Sequence, residues 1–201
     1  MKQPAGSDSV LYLSHAQVAI DPAIPVPDWS LSAVGRTRTE RFALSPRLGG
    51  VTAIYSSGER KAVETAAILA DRLGVPFTVV APLHENDRSA TGYLPPPRFE
   101  AVADRFFAEP ETSVLGWERA VDAQARVLAA VRAILDRDMT SGDLLLAAHG
   151  GVGALLLAKL SEAPISRAFD QPPTGGGNVF AFRRHDLALL HGWRPMEDFT
   201  A

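Results

Sequence analysis

The chain has 201 residues, of which 46% are hydrophobic and 21% charged; that balance is ordinary for a globular protein and excludes a wholly disordered one. Lys plus Arg is 20 against 23 Asp plus Glu, a net charge of −3, without the basic excess of a nucleic-acid binder or a polybasic membrane contact. Cysteine is absent, which excludes disulfides, a thiolate nucleophile and thiolate metal sites.

The length predicts one domain over residues 1–201, able to bury roughly 70% of its unfolded surface. Residues 1–9 are polar and no apolar run follows them, so no secretory signal is expected. The longest apolar stretches, around 143–148 and 152–158, are far short of the ~20 residues of a membrane helix. The expected location is the cytoplasm.

In chain order, Val10–Leu13 reads as a strand buried on both faces. A proline-rich stretch follows, then a helix capped by Ser30 or Ser32 and running to about Leu44. Val51–Tyr55 is a second buried strand. Ser57 is expected to cap a helix from about Glu59 to Leu73, closed by Gly74. Phe77–Val80 is a third strand. Residues 84–97 have no periodicity and hold three consecutive prolines, the mark of a functional or a disordered segment. Phe99–Phe107 reads as a short helix and Ser113–Arg137 as a long one. Leu144–Ala148 is a fourth buried strand and Gly151–Leu160 a helix. Val179–Phe182 and Leu187–His191 read as closing strands. Alternating buried strands and helices predict an α/β fold with a mainly parallel sheet between two helical layers.

His15 and His149 each follow a buried strand directly. In open α/β sheets ligands bind at the carboxyl ends of strands, so the two imidazoles can converge on one pocket. Gly150 and Gly151 open a helix, whose free amides suit an anion. A metal site is the rival reading, but no His-x-His or His-x-x-x-His spacing and no clear third ligand support it. No metal or other cofactor is expected.

The ordered set Ser14-His15-Ala16, Ser56 through Ala66, Leu83-His84-Glu85 and Ala148-His149-Gly150-Gly151 resembles the histidine phosphatase superfamily, the phosphoglycerate-mutase-like family. Trp29 through Ser32, Gly35, Gly116-Trp117-Glu118 and Arg126 extend the resemblance over nearly the whole chain. It implies a phosphoglycerate-mutase-like three-layer α/β/α sandwich. It also implies His15 as the nucleophile that accepts a phosphoryl group, His149 as a hydrogen-bond donor to that group, and Glu85 as proton donor to the leaving oxygen. An imidazole needs no metal to attack phosphorus, and a phosphohistidine divides one difficult step into two.

The departures from the family pattern are specific. Ser14 stands for its arginine, Ala16 for its glycine, Val18 for its threonine and Asp21 for its asparagine, and Lys61 replaces a second arginine. Phosphoryl transfer depends on positioned positive charge, and lysine lacks the bidentate grip of arginine. Ser14, Lys61, Arg88 and Gly150 are the expected substrate contacts, with Arg88 supplying part of the missing charge; Arg36 and Arg38 are further candidates. Two functions therefore compete. One is a metal-independent phosphomonoesterase acting on a small phosphorylated molecule through phosphohistidine. The other is a catalytically weak or inactive relative that binds a phosphorylated or other anionic ligand. A nucleotide-binding role for Gly150–Gly153 or Gly175–Gly177 fits neither the dinucleotide fingerprint nor a P-loop. Neither nucleic acid nor membrane is an expected partner.

Overall fold

The computed structural model describes residues 8–199; the leading segment 1–7, on which the signal-peptide expectation rests, lies outside them. The elements are β1 (Ser9–Ser14), α1 (Ala33–Phe42), β2 (Val51–Ser56), α2 (Arg60–Leu73), β3 (Phe77–Val79), α3 (Pro96–Ala108), α4 (Ala120–Arg137), β4 (Asp143–Ala148), α5 (Gly150–Leu160), β5 (Asn178–Arg183) and β6 (Leu189–Pro195). One mixed sheet runs in the order β3-β2-β4-β1-β5-β6. Its first four strands are mutually parallel, and β5 and β6 are antiparallel additions at one edge.

The strand period of two divides the interior into two cores. Val10, Tyr12, Leu144, Leu146, Phe180 and Phe182 face α3, α4 and α5, packing with Phe106, Val127, Val131 and Leu155. Leu11, Leu13, Leu145, Ala147, Val179 and Ala181 face α1 and α2, packing with Phe42, Ala66 and Leu69. Helices thus cover both faces, which is why these strands read as continuous apolar runs. No helix among the described residues is long and apolar enough to cross a membrane.

Local chemistry fixes the element ends. The Ser32 hydroxyl accepts the Gly35 N–H at 3.0 Å and starts α1. Within α1, Gly35 lies so close to the preceding loop that a Cβ there would sit 2.1 Å from the Gln17 carbonyl oxygen. Gly74 closes α2 in the left-handed conformation, at φ 68°.

Several boundaries depart from the sequence reading, among them the start of α3, which begins at Pro96 and not Phe99, with proline in its first turn. The N-cap of α2 is Glu59, with no side-chain cap; the Ser57 hydroxyl accepts the Glu59 N–H from outside the helix. The long helix begins at Ala120, not Ser113. Leu115 and Gly116 adopt left-handed backbone, φ 51° and 80°, and break the periodic stretch so that Trp117 can enter the core. The last strand is shifted to Leu189–Pro195, because Leu187 is spent in the turn, at φ 61°.

Candidate active site

β1 and β4 pair in parallel with Ser14 opposite Ala148. The residue after each strand is therefore a histidine, and the two stand side by side: the His15 N–H bonds the Ala148 carbonyl at 3.0 Å, and the rings cross edge to face with centroids 5.3 Å apart.

His15 lines a cavity of ≈510 Å³, within the size range of small-molecule sites. Its Nδ1 lies 2.8 Å from the Ala16 carbonyl oxygen. A carbonyl only accepts, so Nδ1 carries the proton and Nε2 keeps its lone pair. Burial, then the neighbouring His149 ring, hold its pKa down at about 3. His15 is thus a neutral, oriented imidazole throughout the physiological range.

His149 is fully buried behind His15 and does not line the cavity. Its Nε2 lies 2.8 Å from the Ser57 hydroxyl and 3.5 Å from Glu59 Oε1, while its Nδ1 has no partner. Burial pushes its pKa down, against the pull of Glu59 and Glu85. A buried, unpartnered ring nitrogen is costly unless a ligand or water completes it.

Glu85 is held at the start of α5. Its carboxylate accepts the N–H groups of Gly151 at 3.0 Å and Val152 at 2.8 Å. The expectation of free amides at this helix start is corrected in part: Glu85 holds those of Gly151 and Val152, and Gly150, the expected substrate contact, is not among them. A Cβ at residue 151 would sit 2.6 Å from Glu85 Oε1, so glycine permits the approach. Burial alone would raise the Glu85 pKa. His149, Arg88 and the Gly151 N–H outweigh that, and the shift is downward. Arg126 fixes the loop from beneath, donating to the carbonyls of Pro82, His84 and Glu85 while pairing with Glu118.

Lys61 is not brought to the cavity. It is buried, with Nζ 2.5 Å from Glu59 Oε2 and 2.7 Å from the Val26 carbonyl. Burial raises the Glu59 pKa, but His149 and Lys61 overcome it and the net shift is down. With His149 neutral, the Lys61 ammonium is the charged partner at neutral pH. The expected second phosphate cation is therefore already paired.

Arg88 does line the cavity. Its guanidinium lies over the rings of Phe99 and Trp117, 5.1 and 5.7 Å from the centroids, and pairs with no carboxylate among the described residues. Arg36 is spent on Glu64, and Arg38 on Glu197, Gln17 and the carbonyls of Thr174 and Gly176. Asp21 sits in an exposed turn and does not face the cavity.

Ser14 and Gly150 lie beside a residue the sequence did not single out. The Ser14 hydroxyl donates to Gln171 Oε1 at 2.6 Å, and a Cβ on Gly150 would sit 2.1 Å from Gln171 Nε2. Asn86 was also missed: it is buried at the cavity wall, and its Nδ2 has no partner. Its place directly after Glu85 was the only available signal. Phe99, Phe106, Phe107 and Trp117 form an apolar wall, and Glu100, Arg167 and Asp170 a charged rim. No cluster of three or more metal-ligating side chains occurs among the described residues.

Comparison with known proteins gives a consistent result. Residues 15–191 match the family described as the histidine phosphatase superfamily (branch 1). No curated protein matches the chain in sequence. Among solved structures, a mycobacterial glucosyl-3-phosphoglycerate phosphatase in complex with inorganic phosphate is similar, at 24% identity and TM-score 0.73, over 94% of this chain and 95% of that one. Bacillus stearothermophilus YhfR is similar at 24% identity and TM-score 0.73, covering 92% and 94%. A protein described as mycobacterial hydrolase 2 is similar at 23% identity and TM-score 0.72, covering 93% and 88%. At these identities the structural likeness speaks for the fold.

Proposed function

Because the chain belongs to the histidine phosphatase superfamily, we propose that it is a phosphomonoesterase that needs no metal and works through a phosphohistidine at His15. The observation that carries this reading is the state of His15: neutral, with Nδ1 fixed to a carbonyl and the ring lining a cavity of ligand size.

In the first step the Nε2 lone pair attacks phosphorus and the bond to the ester oxygen breaks. The leaving oxygen takes a proton. Glu85 is the carboxyl on the cavity wall that can relay it, and its low pKa means that the proton arrives with the substrate. A phosphate monoester in its singly protonated form brings one. In the second step the Glu85 carboxylate, already ionised, takes a proton from water as the water attacks the phosphohistidine. Asn86 Nδ2, buried on the cavity wall without a partner, is a donor for the phosphoryl oxygens. The apolar wall accommodates the leaving group. This scheme supports turnover over passive binding, since Asp21 does not face the cavity and Arg88 supplies an unpaired cation.

The test is hydrolysis of a generic aryl phosphate in the presence of a chelator, with acid-labile phosphoprotein trapped by rapid denaturation. Activity should fall above about pH 6, where a phosphate ester loses its second proton. A requirement for a divalent cation, or turnover with no trapped phosphoprotein, overturns the mechanism. Phosphate binding without any turnover gives the binding-protein reading.

Arg88→Ala should lower kcat/KM by about 100-fold, the usual effect of removing one preorganised transition-state contact. The guanidinium makes no ion pair that would give it a purely structural role. Steady-state kinetics on a normally folded variant check this, and unchanged kcat/KM would remove Arg88 from the site.

A further inference from the structure

Gln171 lies in the turn after a short helical segment at Arg167–Phe169, with no motif around it. Its carboxamide is nevertheless held from one end. The Ser14 hydroxyl accepts the Asn178 N–H at 3.0 Å, and its own proton has two acceptors in reach, Gln171 Oε1 at 2.6 Å and the Asn178 carbonyl at 3.3 Å, of which Gln171 is the nearer. Asn178 Nδ2 donates to the same oxygen at 3.0 Å. Ser14 and Asn178 are both fully buried. Two donors converging on one atom identify it as the oxygen. The other end, Nε2, then extends over Gly150, where only glycine leaves room. It donates to no described residue, and Gln171, Gly150 and His15 line the same cavity.

The charges around the cavity narrow the ligand. Arg88 is its one cation without a carboxylate partner among the described residues. Arg167 is bound to Glu100, Asp104 and Asp170. Lys61 is bound to Glu59. Glu85, Glu100 and Asp170 bring carboxylates to the wall and rim. The remaining donors, Asn86 Nδ2 and Gln171 Nε2, are neutral, and the buried Asn86 Nδ2 is unpartnered. A dianion would meet one free guanidinium among several carboxylates, whereas a monoanion is matched.

We infer that Gln171 is a substrate-contact residue whose N–H, aimed by Ser14 and Asn178, replaces charge with a neutral hydrogen bond, and that the cavity selects a singly charged oxyanion. This rests on the phosphatase reading and specifies the form of ester that the site takes. The class is a phosphate ester carrying one net negative charge, such as a protonated monoester or a diester headgroup.

The test is calorimetric titration of the full chain at pH 8 with two probes of similar size: dimethyl phosphate, a monoanion, and methyl phosphate, a dianion there. Dimethyl phosphate should bind at least as tightly. Gln171→Glu keeps an oxygen to accept from Ser14 and Asn178 but turns the free donor into an anion. It should weaken dimethyl phosphate by about tenfold or more, with Tm unchanged. Should that variant fail to fold, Gly150→Ala displaces the same Nε2 and should give the same loss. Tenfold tighter binding of methyl phosphate, or unchanged affinity in the variants, overturns the inference. If the wild-type chain hydrolyses aryl phosphate and these results still go against Gln171, only this inference falls. If it neither binds nor turns over any phosphate, the phosphatase reading falls with it.

Discussion

His15→Ala should reduce aryl phosphate hydrolysis by at least about 10⁴-fold, because it removes the atom that forms the covalent intermediate. The loss should appear in kcat and in the trapped phosphoprotein together. Inorganic phosphate should still bind, since Arg88, Asn86 and Gln171 are untouched. The wild-type pH profile belongs to the same prediction. The His15 pKa is held at about 3, so its nucleophilic form is complete above that value and is lost only below it. No fall in kcat/KM from protonation of His15 is therefore expected between pH 8 and pH 5. Substantial activity in His15→Ala, measured against a mock purification, would reject the mechanism.

Glu59→Leu should destabilise the protein by about 3–5 kcal/mol, the usual effect of leaving one buried charge without its partner. The Lys61 side chain is only 4% exposed and Glu59 11%. Glu59 also accepts the Glu85 N–H at 2.9 Å, so the same change loosens the loop that carries the proposed proton relay. A fall in Tm of about 10 °C or more is expected for a chain of this size. Glu59→Leu with Lys61→Met should recover most of it, because the uncompensated ammonium goes as well. The sign of the acid dependence follows from the carboxyl. Its ordinary pKa of 4.5 is lowered to about 2 in the fold. The stability it contributes is full above pH 4.5 and is lost as pH falls toward 2. Thermal melts of the single and double variants check this, and a single variant within about 2 °C of wild type would show that the pair is not a support.

The frame of this site was legible because it is local. A buried run ending in histidine reads the same in sequence and in structure, and parallel pairing of β1 with β4 then brings His15 beside His149. Occupancy was not legible. The start of α5 was read as a place for a substrate anion, but the carboxylate on its Gly151 and Val152 amides is Glu85, which arrives from a loop 66 residues earlier. Lys61 stands at the expected place on α2, yet the helix turns it toward Glu59, two residues before it. Gln171 reaches the site from an aperiodic loop, where no spacing marks a contact with Ser14 across 157 residues. Periodicity predicts which face a residue takes. It does not predict which polar side chain completes a hydrogen bond there.

The run Gly175–Gly177 adopts left-handed backbone at all three positions, φ 75°, 78° and 70°. Through it the Gly177 N–H reaches the His15 carbonyl at 2.9 Å, while the His15 N–H is fixed to β4. The nucleophile is therefore clamped on both sides of its own peptide unit, and its search for an attack position is over before a ligand arrives. The outer edge is fastened differently. Arg167 spans from Asp170 to Glu100 and Asp104 on α3, and the two α3 carboxylates are more than half exposed. Exposed ion pairs of this kind hold weakly and yield to salt. The result is a gradient of stiffness across a single cavity, rigid at the reacting atom and compliant where molecules enter and leave, so that traffic through the site need not disturb its aim.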